Sequence, residues 1–407
     1  MATPQSSGPS RTRWGLRIRL PRRLRLVTSV GSVAVLVAAT LAVVAPGTSS
    51  AAQRAGKTYT VLVGHDLAAG SRHHPADLMR FLPGSISVHR GDKITFKGDF
   101  HTATALPLRV QRPRAWISTH ARKFGQRYFF IANDDEPNTT IFNPHVLYPN
   151  CAVGKGCGYD GSHLVTSGLL GIIAPQVTFT VNVAPGRSFW VICLVHPQMM
   201  LRVHVVPRST SVQSQAQINA AVAAQVKMQT ARATRLWRSL QQQHTRNGVV
   251  QAFSGFDARG LELFGMFPHT IHLRRGQTVK WHFAELRYEP HSVVFPAHLA
   301  DTIATGPPPM CEKNDGSGDV PATQQFTCPA GSHGPVEIEL DPRLIKGSGS
   351  HTVTMSDRVH NSGARGGFTI PNDRPYRLNF PMASPTAGFR YACGVHGLMM
   401  SGRVIVR

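Results

Sequence analysis

Cys393, His396 and the pair Met399-Met400 stand close together near the end of the chain, and Cys193, His196 and the pair Met199-Met200 repeat that pattern 200 residues earlier. Each set has a histidine about 100 residues upstream. His291 lies in Glu289-Pro290-His291-Ser292-Val293-Val294-Phe295, and His101 lies in Asp99-Phe100-His101-Thr102-Ala103-Thr104. One soft thiolate, two imidazoles and a weak axial thioether suit a copper ion cycling between Cu(I) and Cu(II). Taken singly, a cysteine or methionine is more often core filling. The four-residue combination, found twice, carries the metal reading.

These side chains need a scaffold, and the chain repeats it. Pro83-Gly84-Ser85-Ile86-Ser87-Val88-His89-Arg90-Gly91-Asp92-Lys93-Ile94-Thr95-Phe96 matches Pro268-His269-Thr270-Ile271-His272-Leu273-Arg274-Arg275-Gly276-Gln277-Thr278-Val279-Lys280-Trp281 at a constant offset of 185 residues. Both copies read as a strand, an Arg-Gly turn and a second strand, with apolar residues alternating. Phe189 to Met200 resembles Phe389 to Met400, and closing strands follow at 202–206 and 403–406. The spacing therefore predicts two domains of one kind, 55–208 and 248–407. Residues 209–247 differ in composition. Ile218, Val222, Val226, Ala233, Trp237 and Leu240 fall near one helical face, Ser211 can cap the start, and Asn247-Gly248 can end the segment. A linker helix follows, with a frayed spacer as the alternative.

Cys-x-x-His-x-x-Met before a Gly-Arg-Val strand, with Pro-His-Ser-Val-Val-Phe upstream, resembles the plastocyanin and amicyanin group of cupredoxins. The resemblance covers both domains and neither the leader nor the helix. It implies an all-β chain of two tandem Greek-key β-sandwiches joined by a long linker helix. It also implies two type 1 copper ions, one held by His101, Cys193, His196 and Met199, the other by His291, Cys393, His396 and Met400 or Met399. The family's Met-x-Gly pattern favours Met400; a tight loop count from Cys393 favours Met399. In the first domain Leu201 stands where that glycine is expected, and Phe100 replaces the proline before His101.

Four cysteines remain. Cys151 and Cys157 lie in one Gly-containing loop, and Cys311 and Cys328 flank another. Disulfides 151–157 and 311–328 are expected, leaving Cys193 and Cys393 as thiolates; a zinc site is the rival reading. Residues 1–51 combine a basic stretch with an uncharged run from Val27 to Ala45, as in an export signal or an uncleaved N-terminal anchor. Either places the rest of the chain outside the cytoplasm, secreted or associated with the cell envelope. Beyond residue 51 the chain has 37 basic against 21 acidic residues. The basic residues are scattered, which speaks against nucleic acid. They are read as a solvated surface or as a docking face for an acidic redox partner.

The expected function is electron transfer with an unidentified redox partner protein. The exit points would be His196 and His396, with apolar docking surface near Pro197-Gln198 or Gly397-Leu398. None of the 20 histidines forms a His-x-His pair, and neither Cys193 nor Cys393 has a histidine neighbour. A multicopper oxidase or nitrite reductase resemblance calls for such residues. His65, His89, His163, His204, His272 and His282 could still converge on an enzymatic site, so a copper oxidoreductase and an envelope copper buffer remain alternatives.

Overall fold

The computed structural model describes residues 56–67, 75–117, 130–132, 140–151, 157–283, 286–306, 309–315, 317, 319–322, 328–354, 359–367, 370 and 372–407. The expected leader at 1–51 lies outside the described residues. No described helix is long and apolar enough to cross a membrane.

The first half contributes β1 (Thr58–Val63), β2 (Ala76–Leu78), β3 (Phe81–Leu82), β4 (Ser85–His89), β5 (Lys93–Gly98) and β6 (His101–Ala105). Then come β7 (Phe130–Ala132), β8 (Thr140–Phe142), the short helix α1 (Pro144–Leu147), β9 (Cys157–Tyr159), β10 (Val165–Leu170), β11 (Gln176–Val181), β12 (Ser188–Ile192) and β13 (Met200–Val206). Two five-stranded sheets result, ordered β3-β1-β5-β11-β9 and β10-β6-β12-β13-β4. Period-two patterning explains the strands. In β1, β11 and β13 every second residue is buried, as a sheet with one face on the core requires. Ile86, Val88, Ile94 and Phe96 all point into this core, where Phe96 meets Phe179 edge to face at 5.1 Å.

Helix α2 (Gln215–Leu240) follows, then β14 (His244–Arg246), β15 (Val249–Asp257), β16 (Leu261–Phe267), β17 (Thr270–Leu273), β18 (Gln277–His282) and β19 (Val294–Phe295). Helix α3 (Ala297–Thr305) precedes β20 (Met310–Lys313), β21 (Asp319–Pro321), β22 (Ser332–Glu337) and α4 (Pro342–Ile345). The chain closes with β23 (His360–Asn361), β24 (Tyr376–Phe380), β25 (Phe389–Cys393) and β26 (Gly397–Val406). The second sandwich pairs β2-β16-β15-β18-β24 with β17-β26-β25-β19-β23. The pairings that frame the repeat are equivalent in both halves. β4 lies parallel to β13 as β17 does to β26, and β5 lies parallel to β1 as β18 does to β15. The chain is thus two tandem β-sandwiches with a helix between them.

The structure corrects the linker at both ends. The helix has 26 residues, about 39 Å at 1.5 Å each. It starts three residues later than expected. Ser214, not Ser211, is the N-cap, because Gln217 three residues on closes a capping box with it. Asn247-Gly248 does not end the helix. Both residues have positive φ and make the two-residue turn of the β14–β15 hairpin, which that dipeptide favours. The expected apolar stripe does pack. Ile218 is buried in the first core, and Ala233 is buried in a cluster with Leu78, Leu82, Leu261, Leu263 and Phe267. That cluster draws on both halves. β2 belongs to the first half in sequence but pairs antiparallel with β16 of the second.

Candidate metal centres

The cysteine and the two histidines of each expected set come together. Among the described residues two groups bring metal-binding atoms together: His101 with Cys193 and His196, and His291 with Cys393 and His396. His101 Nδ1 faces His196 Nδ1 at 2.8 Å, and each lies 3.9 Å from Cys193 Sγ. In the second set the two Nδ1 atoms are 3.1 Å apart, with Cys393 Sγ at 3.9 Å from His291 and 3.5 Å from His396. Two imidazole nitrogens and a sulfur converging on one point are a borderline-soft donor set that fits copper. Among the described residues no other histidine joins them. His89, His204 and His282 bond Thr210, Ser188 and Gln251 locally.

The sequence builds this geometry the same way twice. β6 delivers His101, and the loop after β12 delivers Cys193 and His196. The Thr102 and Ser292 backbone N–H groups each donate to the cysteine sulfur at 3.3 Å. Leu194 N–H donates to Thr102 Oγ1 and Gly394 N–H to Ser292 Oγ, both at 2.7 Å, pinning each loop to the strand beneath it. Ser167 and Ser362 accept from Ala103 N–H and Val293 N–H at 2.8 Å, fixing the next residue along.

A glycine backs each upstream histidine. A Cβ on Gly64 would sit 2.1 Å from His101 Nε2, and one on Gly255 would sit 2.2 Å from His291 Cδ2. Both glycines also have positive φ, so the position is closed to a side chain twice over.

Electrostatics favour the thiolate. Burial pushes Cys193 and Cys393 up, but hydrogen bonds from their histidine pairs and the histidine charge hold both well below the usual thiol range. Burial pulls His101 and His396 down. Contacts with Asp77 and Cys193 outweigh it for His101, and contacts with Cys393 and Glu289 do so for His396, leaving each at about 10. Burial leaves His291 lowered.

The outer nitrogens of His291 and His396 hydrogen-bond carboxylates at the junction of the sandwiches, and those of His101 and His196 lie beside one without a hydrogen bond. His196 Nε2 lies 3.1 Å from Glu289 Oε1, and His396 Nε2 lies 2.6 Å from Glu289 Oε2. One carboxylate therefore touches one imidazole of each set. His291 Nε2 bonds Glu262 Oε1 at 2.9 Å, and His101 Nε2 lies 3.7 Å from Asp77 Oδ2. Glu262 and Asp77 are themselves cross-strand partners in β16 and β2. Burial raises Glu262 well above the usual carboxyl range, helped by the charges of Asp257, Glu289 and Asp77. Burial also raises Glu289, but its two imidazole contacts prevail and hold it well below that range. Carboxylate-bound imidazoles of this kind fix ring orientation around a metal.

The axial candidates separate by burial. Met199 and Met400 are buried, whereas Met399 is 58% exposed. Leu398 is exposed beside it. The first site's surroundings differ from expectation. His196 and Pro197 are buried, and Gln198 beside them is exposed. Both expected disulfides are formed, Cys151–Cys157 and Cys311–Cys328, and Cys193 and Cys393 are free and buried.

Sequence reasoning missed the carboxylates and the backing glycines. One signal was present: Gly64-His65-Asp66, just past β1, and Gly255-Phe256-Asp257, the last three residues of β15, share Gly-x-Asp. The inserted β2 breaks the constant offset there, which hid the match.

No family model matches the chain, and no curated protein matches it. Among solved structures it is similar to a reduced amicyanin variant, at 14% identity over 41% of this chain and 93% of that one, with a TM-score of 0.17. It is similar to auracyanin A, a "blue" copper protein from the green thermophilic photosynthetic bacterium Chloroflexus aurantiacus, at 14% identity, 39% and 98% coverage and a TM-score of 0.19. It is also similar to a blue copper oxidase from Nitrosomonas europaea, at 9% identity, 86% coverage of both chains and a TM-score of 0.17. The strand pairing and the two donor sets define the class: tandem β-sandwiches, each with a buried Cys-His-His set that fits a copper ion.

Proposed function

We propose that the protein carries electrons outside the cytoplasm through two type 1 copper ions, one per sandwich. The observation that supports this is the matched pair of buried Cys-His-His sets, each locked to its strand by N–H donors to the sulfur. Copper bound there supplies a one-electron couple between Cu(I) and Cu(II).

The residues' task is to keep one geometry in both oxidation states. The pinned loops, the backing glycines and the carboxylate-held imidazoles all oppose rearrangement. Met199 and Met400 are the axial thioethers in this reading. Two disulfides and the leader favour an oxidising compartment. The counterpart is a redox protein.

Copper loading of the purified chain tests the proposal. Two coppers per chain and an intense blue thiolate-to-Cu(II) band are expected. Further copper with reduction of oxygen or nitrite would make the protein an oxidoreductase. Tight colourless uptake of Cu(I) would make it a buffer.

A further inference from the structure

Glu289 precedes His291 by two residues, belongs to the second sandwich, and reaches an imidazole of the first. Its two oxygens are divided between the sets, one on His196 and one on His396. Both contacted atoms are the Nε2 nitrogens, on the far side of each ring from the Nδ1 that faces the cysteine. Ring, carboxylate and ring thus lie in contact between Cys193 and Cys393, through a hydrogen bond at the His396 end and a 3.1 Å ion-pair contact at the His196 end.

The two ends of that line differ in access. The His196 side chain is 1% exposed, and its partner His101 is 2% exposed. The His396 side chain is 12% exposed and lines a cleft with Phe264, Val395, Met399 and Glu289. Phe264 lies against this imidazole, ring centres 5.1 Å apart. His196 borders a cleft as well, but at 1% exposure against 12% it offers an outside reductant far less surface than His396 does.

We propose that Glu289 is the bridge by which the buried first site exchanges electrons with the second, and that His396 is the port for both. This rests on the electron-transfer reading. In a chain holding one electron, the second set loses it and is oxidised by one, while the first set gains it and is reduced by one. No bond is made or broken. The electron first arrives from a one-electron donor at the His396 edge and leaves by the same face.

The test uses the full copper-loaded chain and a pulse of radical reductant below one equivalent. Single-site variants Cys193→Ser and Cys393→Ser supply each site's spectrum and its own bimolecular rate. The site left in Cys393→Ser should be reduced about tenfold or more slowly than that left in Cys193→Ser, as its burial implies. The parent should show fast bimolecular reduction of the second site, then a first-order phase, independent of protein concentration, in which the first site is reduced. Replacing an outer-shell partner typically costs 10–100-fold in metal affinity or activity, so rates are compared only in chains loaded to two coppers. In those chains Glu289→Leu should slow the first-order phase by about tenfold or more relative to the parent, whatever it costs in copper affinity or in the bimolecular step. Glu289→Gln keeps the volume but offers an acceptor to one imidazole only. It should slow the phase too, and it decides the matter should the leucine variant lose a copper. Two blue coppers with no first-order phase, or with a phase unchanged in both variants, would overturn the bridge and leave the carrier function standing. A parent with no blue copper would overturn both.

Discussion

Replacing Gly255 with alanine isolates what the backing glycine does. Its φ of +72° costs an L-residue about 1–2 kcal/mol. The added Cβ would also lie 2.2 Å from His291 Cδ2 and 2.3 Å from His291 Nε2. Carbon atoms in contact rest at about 3.5–4.0 Å, so the ring must retreat by about 1 Å. Metal–ligand distances tolerate about 0.2 Å, so His291 cannot stay a ligand. Gly276 is the control. It has φ +83° in the same sandwich, and nothing lies within 4 Å of its would-be Cβ. Gly276→Ala should lose about 1–2 kcal/mol in urea unfolding, the strain alone, and keep both coppers. Gly255→Ala should lose at least as much stability, bind one blue copper at the parent's affinity, and bind the other at least about 100-fold more weakly. Copper titration followed by the blue band and by electron paramagnetic resonance measures this. A Gly255→Ala protein holding two blue coppers at parental affinity would refute the reasoning.

Further outcomes follow from the same geometry. Met400→Gln should shift the second site's potential and blue band, since the axial ligand tunes both, while Met399→Gln at its exposed position should leave them unchanged. Asp257, raised to about 7 chiefly by burial, gives an apoprotein pH signature. A carboxyl whose folded value is raised contributes stability below its unfolded value near 3.9 and loses it as pH rises to about 7. Chemical denaturation of Asp257→Asn across that range should therefore fall less steeply with pH than the parent does. Removing the 17-residue disulfide loop with Cys311→Ser and Cys328→Ser should cost about 3 kcal/mol and spare the blue colour.

The candidate metal ligands were legible because the chemistry they suit restricts residue type. A thiolate, two imidazoles and a thioether have few substitutes, so the Cys-x-x-His-x-x-Met loop survives in both halves. The strands around the Arg-Gly turns were legible for a related reason: Ile271, Leu273, Val279 and Trp281 must alternate to reach the core. Glu289 was not, because its role depends on a neighbour from the other half. Nothing in the order of residues says that His196 will face it. Ser214 and Asn247 show the same limit locally. Several polar residues precede the helix, and only the Ser214–Gln217 reciprocity selects one. Asn-Gly serves a helix end or a hairpin, and pairing with β15 decides.

The loan of Ala76–Leu78 to the second sheet bears on how the chain is made. Domains usually fold in the order in which they emerge. Here the first sandwich can close once β13 is complete, with β2 held on one edge by residues 65–67 alone, and the other edge of β2 is completed only when Leu261–Phe267 arrives. The last step in building the front half thus belongs to the rear half.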